Sequence, residues 1–188
     1  EKDIKVNKCG ADEKTVYITG LARNDNLFYN ETKTNDILFF PTWRAEIESE
    51  SLIENTDYYK ESISILNSEK LNTILNKYNS KLYYKPHIRM KNINFINTVD
   101  NVILCGKDEN LTSIIKKTRI LITDYSSVAW DYIYTNRHVI FHQFDLHKYV
   151  ENPGMYIEKD DIIFSRRTFD LDMLINEIEY QLSSSNNC

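Results

Sequence analysis

The chain has 188 residues, 41% of them hydrophobic and 27% charged, with a formal net charge of −5. That is enough for one domain with a buried core. The acidic balance argues against a general nucleic-acid binder, although it leaves room for a local basic pocket.

Three cysteines, Cys9, Cys105 and Cys188, lie far apart with no CxxC spacing, which disfavours a zinc site or a disulfide framework. Cys105 ends an apolar run and reads as a small core residue. A reducing, cytoplasmic setting fits. No run approaches the roughly 18 apolar residues of a membrane span, and no signal-peptide pattern opens the chain. A start at Glu1 without an initiator Met leads us to expect an excised piece or a processed product.

In chain order, Thr15 to Thr19 (TVYIT) is a β-branched and aromatic run closed by Gly20 and predicts a first strand. Asp36 to Phe40 (DILFF), stopped by Pro41, predicts a second. The acidic, polar stretch from Glu46 to Lys60 reads as a surface excursion or lid. Ser68 to Asn79 carries Leu71, Ile74, Leu75 and Tyr78 at helical spacing. Lys81 to Lys85 (KLYYK), stopped by Pro86, Asn101 to Cys105 (NVILC) and Arg119 to Thr123 predict three more strands. His138 to His142 (HVIFH) predicts a sixth. Helices are expected over Leu111–Lys117, Val128–Tyr134 and Leu171–Leu182, with a frayed tail over 183–188. Short apolar runs suit strands buried on both faces. Their alternation with helices predicts an α/β fold, a Rossmann-like parallel sheet with helices on both faces. One domain over residues 1–188 is expected, with ligands held beyond the carboxyl ends of the strands.

Four strand ends are rich in polar residues. Gly20-Leu21-Ala22-Arg23-Asn24-Asp25 offers a turn and an Arg able to fork onto a phosphate or pair with an acid. Pro41-Thr42-Trp43-Arg44 offers a second Arg, to steer an anionic substrate, and an indole that is either a stacking surface or core. Lys85-Pro86-His87 offers a side chain suited to holding or sharing a proton near neutral pH. The most informative end is Thr123-Asp124-Tyr125-Ser126-Ser127, directly before a helical segment. Ser is a favoured N-cap, and a helix start with free N–H groups suits a phosphate. The same pattern also describes an ordinary capped helix. Asp124 is a poor direct phosphate ligand; it could cap the turn, order Ser126 or reach a ribose hydroxyl. Asp131 lies four residues after Ser127 and shares its helix face. There is no HExxH, GxGxxG or GxxxxGK[ST], and four Gly in the whole chain leave little room for one.

Taken in order, GLARND, ILFFPTWR, KPH and LITDYSSVAWDYIY followed by HVIFH resemble the CDP-glycerol glycerophosphotransferases, which build wall teichoic acid, and related capsule polymerases. The resemblance runs from Thr15 to about Tyr156, and Asp145, Leu146 and Tyr149 as well as Pro153 to Tyr156 also fit it. Two departures stand out: His87-Ile88 where the family often has His-Pro, and Ala22 where it often has Pro.

The resemblance implies one half of a GT-B architecture, the carboxyl-terminal half that holds a CDP-linked donor. The family's upstream block, with a His-Gly pair after a Trp, is absent from this chain. The base that activates the acceptor is therefore expected in an upstream acceptor-binding domain. The implied reaction transfers glycerol- or ribitol-phosphate from a CDP-linked donor to a hydroxyl of a growing polyol-phosphate or glycan acceptor, at the inner face of the cell membrane. His87 and Asp131 are the catalytic candidates. Arg23, Asn24, Asp25, Thr42, Arg44, Lys85, Asp124, Ser126 and Ser127 are the substrate-binding candidates. No metal, cofactor or nucleic acid is implied. Two other readings stay open: a GT-B glycosyltransferase or capsule polymerase using a UDP-linked sugar, and a non-catalytic nucleotide-binding module.

Overall fold

A computed structural model describes residues 2–20, 22–27, 34–44, 50–87, 99–106, 108–154 and 166–184, with the side chains of residues 23, 24 and 50–52 excepted. The apolar runs Ile37–Phe39 and Ile120–Thr123 form strands here with both of their faces covered. The elements in chain order are α1 (Ala22–Asp25), β1 (Ile37–Phe39), α2 (Asp57–Leu66), α3 (Glu69–Lys77), β2 (Leu82–Tyr84), β3 (Val102–Leu104), α4 (Leu111–Lys117), β4 (Ile120–Thr123), α5 (Val128–Tyr134), β5 (His138–His142), α6 (Leu146–Glu151), β6 (Arg167–Thr168) and α7 (Leu171–Ser184). Short helices at Ile4–Lys8, Glu13–Thr15 and Glu50–Asn55 also occur among the described residues.

The six strands form one parallel sheet in the order β3-β2-β1-β4-β5-β6. Successive side chains of a strand point to opposite faces. Ile37, Phe39, Ile120 and Ile122 therefore pack with Ile65 and Leu66 of α2, Leu71 and Leu75 of α3, and Leu174 and Ile178 of α7. Leu38 and Leu121 point the other way, onto Ile114 and Ile115 of α4 and Val128 and Tyr132 of α5. Burying each such side chain contributes about 1.5–3 kcal/mol.

Caps set the helix starts. Thr56, Ser68 and Asn110 each accept a backbone N–H of the first turn with a side-chain oxygen. Arg137 closes the other end of α4 by donating to the Ile115 and Thr118 carbonyls. This meets C=O groups that a helix end leaves unpaired.

The α/β fold, the parallel sheet, five of the expected strands and the helices over 111–117 and 128–134 are as the sequence predicts. Thr15 to Thr19 is not a strand. Asp12 caps a single turn over Glu13–Thr15, and Tyr17 and Ile18 stand 78% and 85% exposed. β-branched residues favour strands only where neighbours cover them, and β1 is already paired on both edges by β2 and β4. The expected excursion over 46–60 ends in helix: α2 begins at Asp57 and buries Tyr58, Ser62, Ile65 and Leu66. Ser183 and Ser184 are not frayed but continue α7, with hydroxyls donating to the Tyr180 carbonyl. Residues 185–188 lie outside the described residues.

Candidate functional site

The strand order reverses between β1 and β4: the chain moves to β2 and β3 on one side and to β5 and β6 on the other. Sheets of this kind open a crevice at such a point, beyond the carboxyl ends of the strands. Two of the predicted polar strand ends, at β1 and β4, meet there.

Asp124, the first residue after β4, is buried and ties these ends together. Its Oδ1 accepts the Thr42 N–H at 2.8 Å and the Tyr125 N–H at 2.6 Å, and its Oδ2 accepts Arg44 Nη2 at 2.8 Å. The Asp124 carbonyl accepts Gln143 Nε2 at 3.1 Å, from the end of β5. Thr123 Oγ1 donates to the Phe40 carbonyl. Of the roles open to Asp124, turn-capping is the one this geometry displays.

Arg44 is 7% exposed, and four of its N–H groups are engaged with the protein. Besides Asp124, its Nη1 donates to the Thr42 carbonyl, its Nε to Asp145 Oδ2 at 2.8 Å and its Nη2 to Asp145 Oδ1 at 3.1 Å. The guanidinium carbon lies 5.1 Å from the Tyr125 ring centre and 4.9 Å from that of Tyr149, and these two rings stack at 3.5 Å. Burial alone would lower the Arg44 pKa. Asp124 and Asp145 outweigh it and hold that pKa above its ordinary value. Tyr125 Oη donates to Asp145 Oδ1. Burial, reinforced by Asp145, pushes the Tyr125 hydroxyl well above its usual pKa, so it remains a neutral donor. The expectation that Arg44 steers or binds an anionic substrate is therefore not how the side chain stands: its donors face two carboxylates and a carbonyl.

The turn above this cluster carries the serines. Ser126 Oγ accepts the Val128 N–H at 3.3 Å. Ser127, the N-cap residue of α5, is exposed and its hydroxyl makes no cap bond. Thr42 Oγ1 and Gln143 Oε1, on either side of Asp124, are buried and have no hydrogen-bond partner among the described residues. Such atoms are few in native proteins and often mark functional positions.

The other candidates are more dispersed. Lys85, directly after β2, is 8% exposed and donates to the Gly106 carbonyl after β3. His87 is half-buried, its ring 6.3 Å from that of Trp43 and tilted by 35°. This brings the β2 and β1 ends together. Asp131 is 5% exposed on α5, unlike the exposed Ser127. Shared helix face does not give them shared access. Asp25 is exposed at the end of α1, and the side chains of Arg23 and Asn24 lie outside the described residues, as do residues 155 and 156 of the Pro153–Tyr156 segment. Among the described residues no cluster of His, Cys, Asp or Glu suits a metal ion, and no helix is long and apolar enough to cross a membrane.

Asp145, Gln143 and Tyr149 carry much of the geometry, yet residue chemistry gave them no role. The signal available was the Asp145-to-Tyr149 spacing, which places both on one side of α6.

The family model for CDP-Glycerol:Poly(glycerophosphate) glycerophosphotransferase matches residues 3–187. The chain belongs to this family. Among its relatives, the minor teichoic acid biosynthesis protein GgaB of Bacillus subtilis is 26% identical over 146 residues, covering 71% of this chain and 16% of that protein. The teichoic acid glycerol-phosphate primase of the same organism is 27% identical over 178 residues, covering 95% of this chain and 44% of the primase. The chain thus spans less than half the length of these relatives. The wall teichoic acid polymerase TagF shares the fold at a TM-score of 0.64 and 18% identity, over 99% of this chain and 49% of that one. A TagF variant soaked with CDPG matches at 0.58 and 17%, over 99% of this chain and 49% of that one.

Proposed function

We propose that this chain is the donor-binding part of a transferase that moves glycerol- or ribitol-phosphate from a CDP-linked donor to a hydroxyl of a growing cell-surface polymer. The acceptor oxygen attacks the β-phosphorus. A new P–O bond forms, the bond to the CMP oxygen breaks, and the acceptor proton passes to a base in the remainder of the protein. Transfer of this kind is mostly positioning and charge stabilisation.

The diphosphate sits at the turn before α5, on the Ser126 and Ser127 hydroxyls and amides. Hydrogen bonds to a charged group are worth roughly 1.5–3 kcal/mol each. His87 faces the leaving CMP as acid or fixed positive charge. Arg23, Asn24 and Asp25 are the further donor-binding residues, and Asp131 holds the alditol or a network partner. The chain is one of two Rossmann-like halves of a GT-B enzyme working at the inner face of the membrane.

The observation that carries this reading is the exposed Ser127 hydroxyl, with no cap bond, at the point where the strand order reverses. Family membership and the CDPG-soaked relative of the same fold support the choice of nucleotide. Calorimetry with CDP tests it. Ser126→Ala combined with Ser127→Ala is expected to weaken CDP binding at least tenfold, and unchanged affinity rejects the assignment.

A further inference from the structure

We infer that Arg44 is a positioning residue that acts on the donor through the Ser126–Ser127 turn and does not touch it. This rests on the reading of that turn as the diphosphate site.

The argument is geometric. Arg44 joins the ends of three strands: its own segment after β1 through the Thr42 carbonyl, Asp124 after β4, and Asp145 after β5. Asp124 in turn receives the amides of Thr42 and Tyr125, and Tyr125 directly precedes Ser126. From above, Tyr125 is held twice more, by its stack on Tyr149 and by its hydroxyl on Asp145. The residue before the two serines is thus fixed at backbone, ring and hydroxyl, and each fixing group bonds or stacks on Arg44 or its carboxylate partners. A forked guanidinium can serve two carboxylates and a carbonyl in one plane, and a lysine cannot. Four N–H bonds already spent inside the protein leave little for a phosphate.

The two roles differ in sign at Asp145. If Arg44 bound phosphate directly, Asp145→Asn would release the guanidinium and remove a negative charge, and CDP would bind more tightly. If the cluster only sets the turn, the same change loosens it and CDP binds less tightly.

The experiment is calorimetry of CDP on the full-length protein, with Arg44→Lys and Asp145→Asn each made alone and in the Ser126→Ala, Ser127→Ala background. Each is expected to weaken CDP roughly tenfold alone and to add almost nothing once the serines are gone, since neighbours acting through one group are not additive. Tighter binding in Asp145→Asn, or losses that multiply with the serine changes, overturns the inference. Should Arg44→Lys fail to fold, the isosteric Asp145→Asn carries the same two readouts. Unchanged affinity in the serine variant by itself removes the donor reading, and this inference with it. Multiplying losses remove the inference alone.

Discussion

Arg44 and Asp124 meet at 2.8 Å across the point where the strand order reverses, one following β1 and the other following β4. Their pairing locks the two central strand ends into one unit and sets the floor on which the serine turn rests. A buried ion pair of this sort contributes little net stability when intact but costs heavily when one member is removed.

Asp124→Asn is therefore expected to be strongly destabilising. It replaces an acceptor of three N–H groups with a side chain that also donates, and it leaves the buried Arg44 with Asp145 as its remaining carboxylate partner among the described residues. The loss should be about 3 kcal/mol in urea unfolding. A change below about 0.5 kcal/mol would mean that the pair does not hold the strand ends.

His87→Ala is expected to act on turnover. If His87 assists CMP departure, kcat of the full-length enzyme should fall about a hundredfold, while CDP affinity by calorimetry changes little. A loss confined to affinity would make His87 a binding residue, and normal kcat would remove it from the mechanism.

Cys105 should be chemically quiet. Burial, helped by Glu109, pushes its thiol up to about 11, so almost none is thiolate at neutral pH. Cys9 is exposed. Iodoacetamide followed by peptide mass mapping should label Cys9 long before Cys105 in the folded protein. Equal rates would contradict the burial of the β3 end.

Stability should fall on acidification partly through His138. Burial, with Arg119 and Arg166 nearby, depresses its folded-state pKa below the ordinary 6.5. The unfolded chain then binds a proton more readily than the folded one. Stability is complete above 6.5 and is lost as pH drops through the folded value. His138→Asn should lose less stability than the parent protein between about pH 7.5 and pH 5.5. An identical loss in both would exclude His138 as a contributor.

Much of the scaffold is legible in the sequence because its signals are local. ILIT and HVIFH are apolar on both faces and flanked by polar strand ends, which suits the middle of a parallel sheet. Ser126 and Ser127 announce a turn into a helix. TVYIT carries equally good strand residues, but it pairs with none of the strands and Tyr17 and Ile18 stand exposed; which runs find a partner is a property of the whole fold. α2 was hidden because its buried set, Tyr58, Ser62, Ile65 and Leu66, is interleaved with charged residues and half begun inside an acidic stretch. Arg44 looked like a ligand for an anion because an Arg after a strand often is. That its anions are Asp124 and Asp145 of the same chain is a long-range fact with no local trace.

The central claim is that the serine turn before α5 holds the diphosphate of a cytidine nucleotide. A crystal structure of the full-length protein soaked with CDP tests it most directly. The account predicts diphosphate oxygens within hydrogen-bond distance of the Ser126 and Ser127 amides or hydroxyls, with Arg44 still bound to Asp124 and Asp145. Nucleotide bound at another strand end, with the Ser127 hydroxyl untouched, would contradict it.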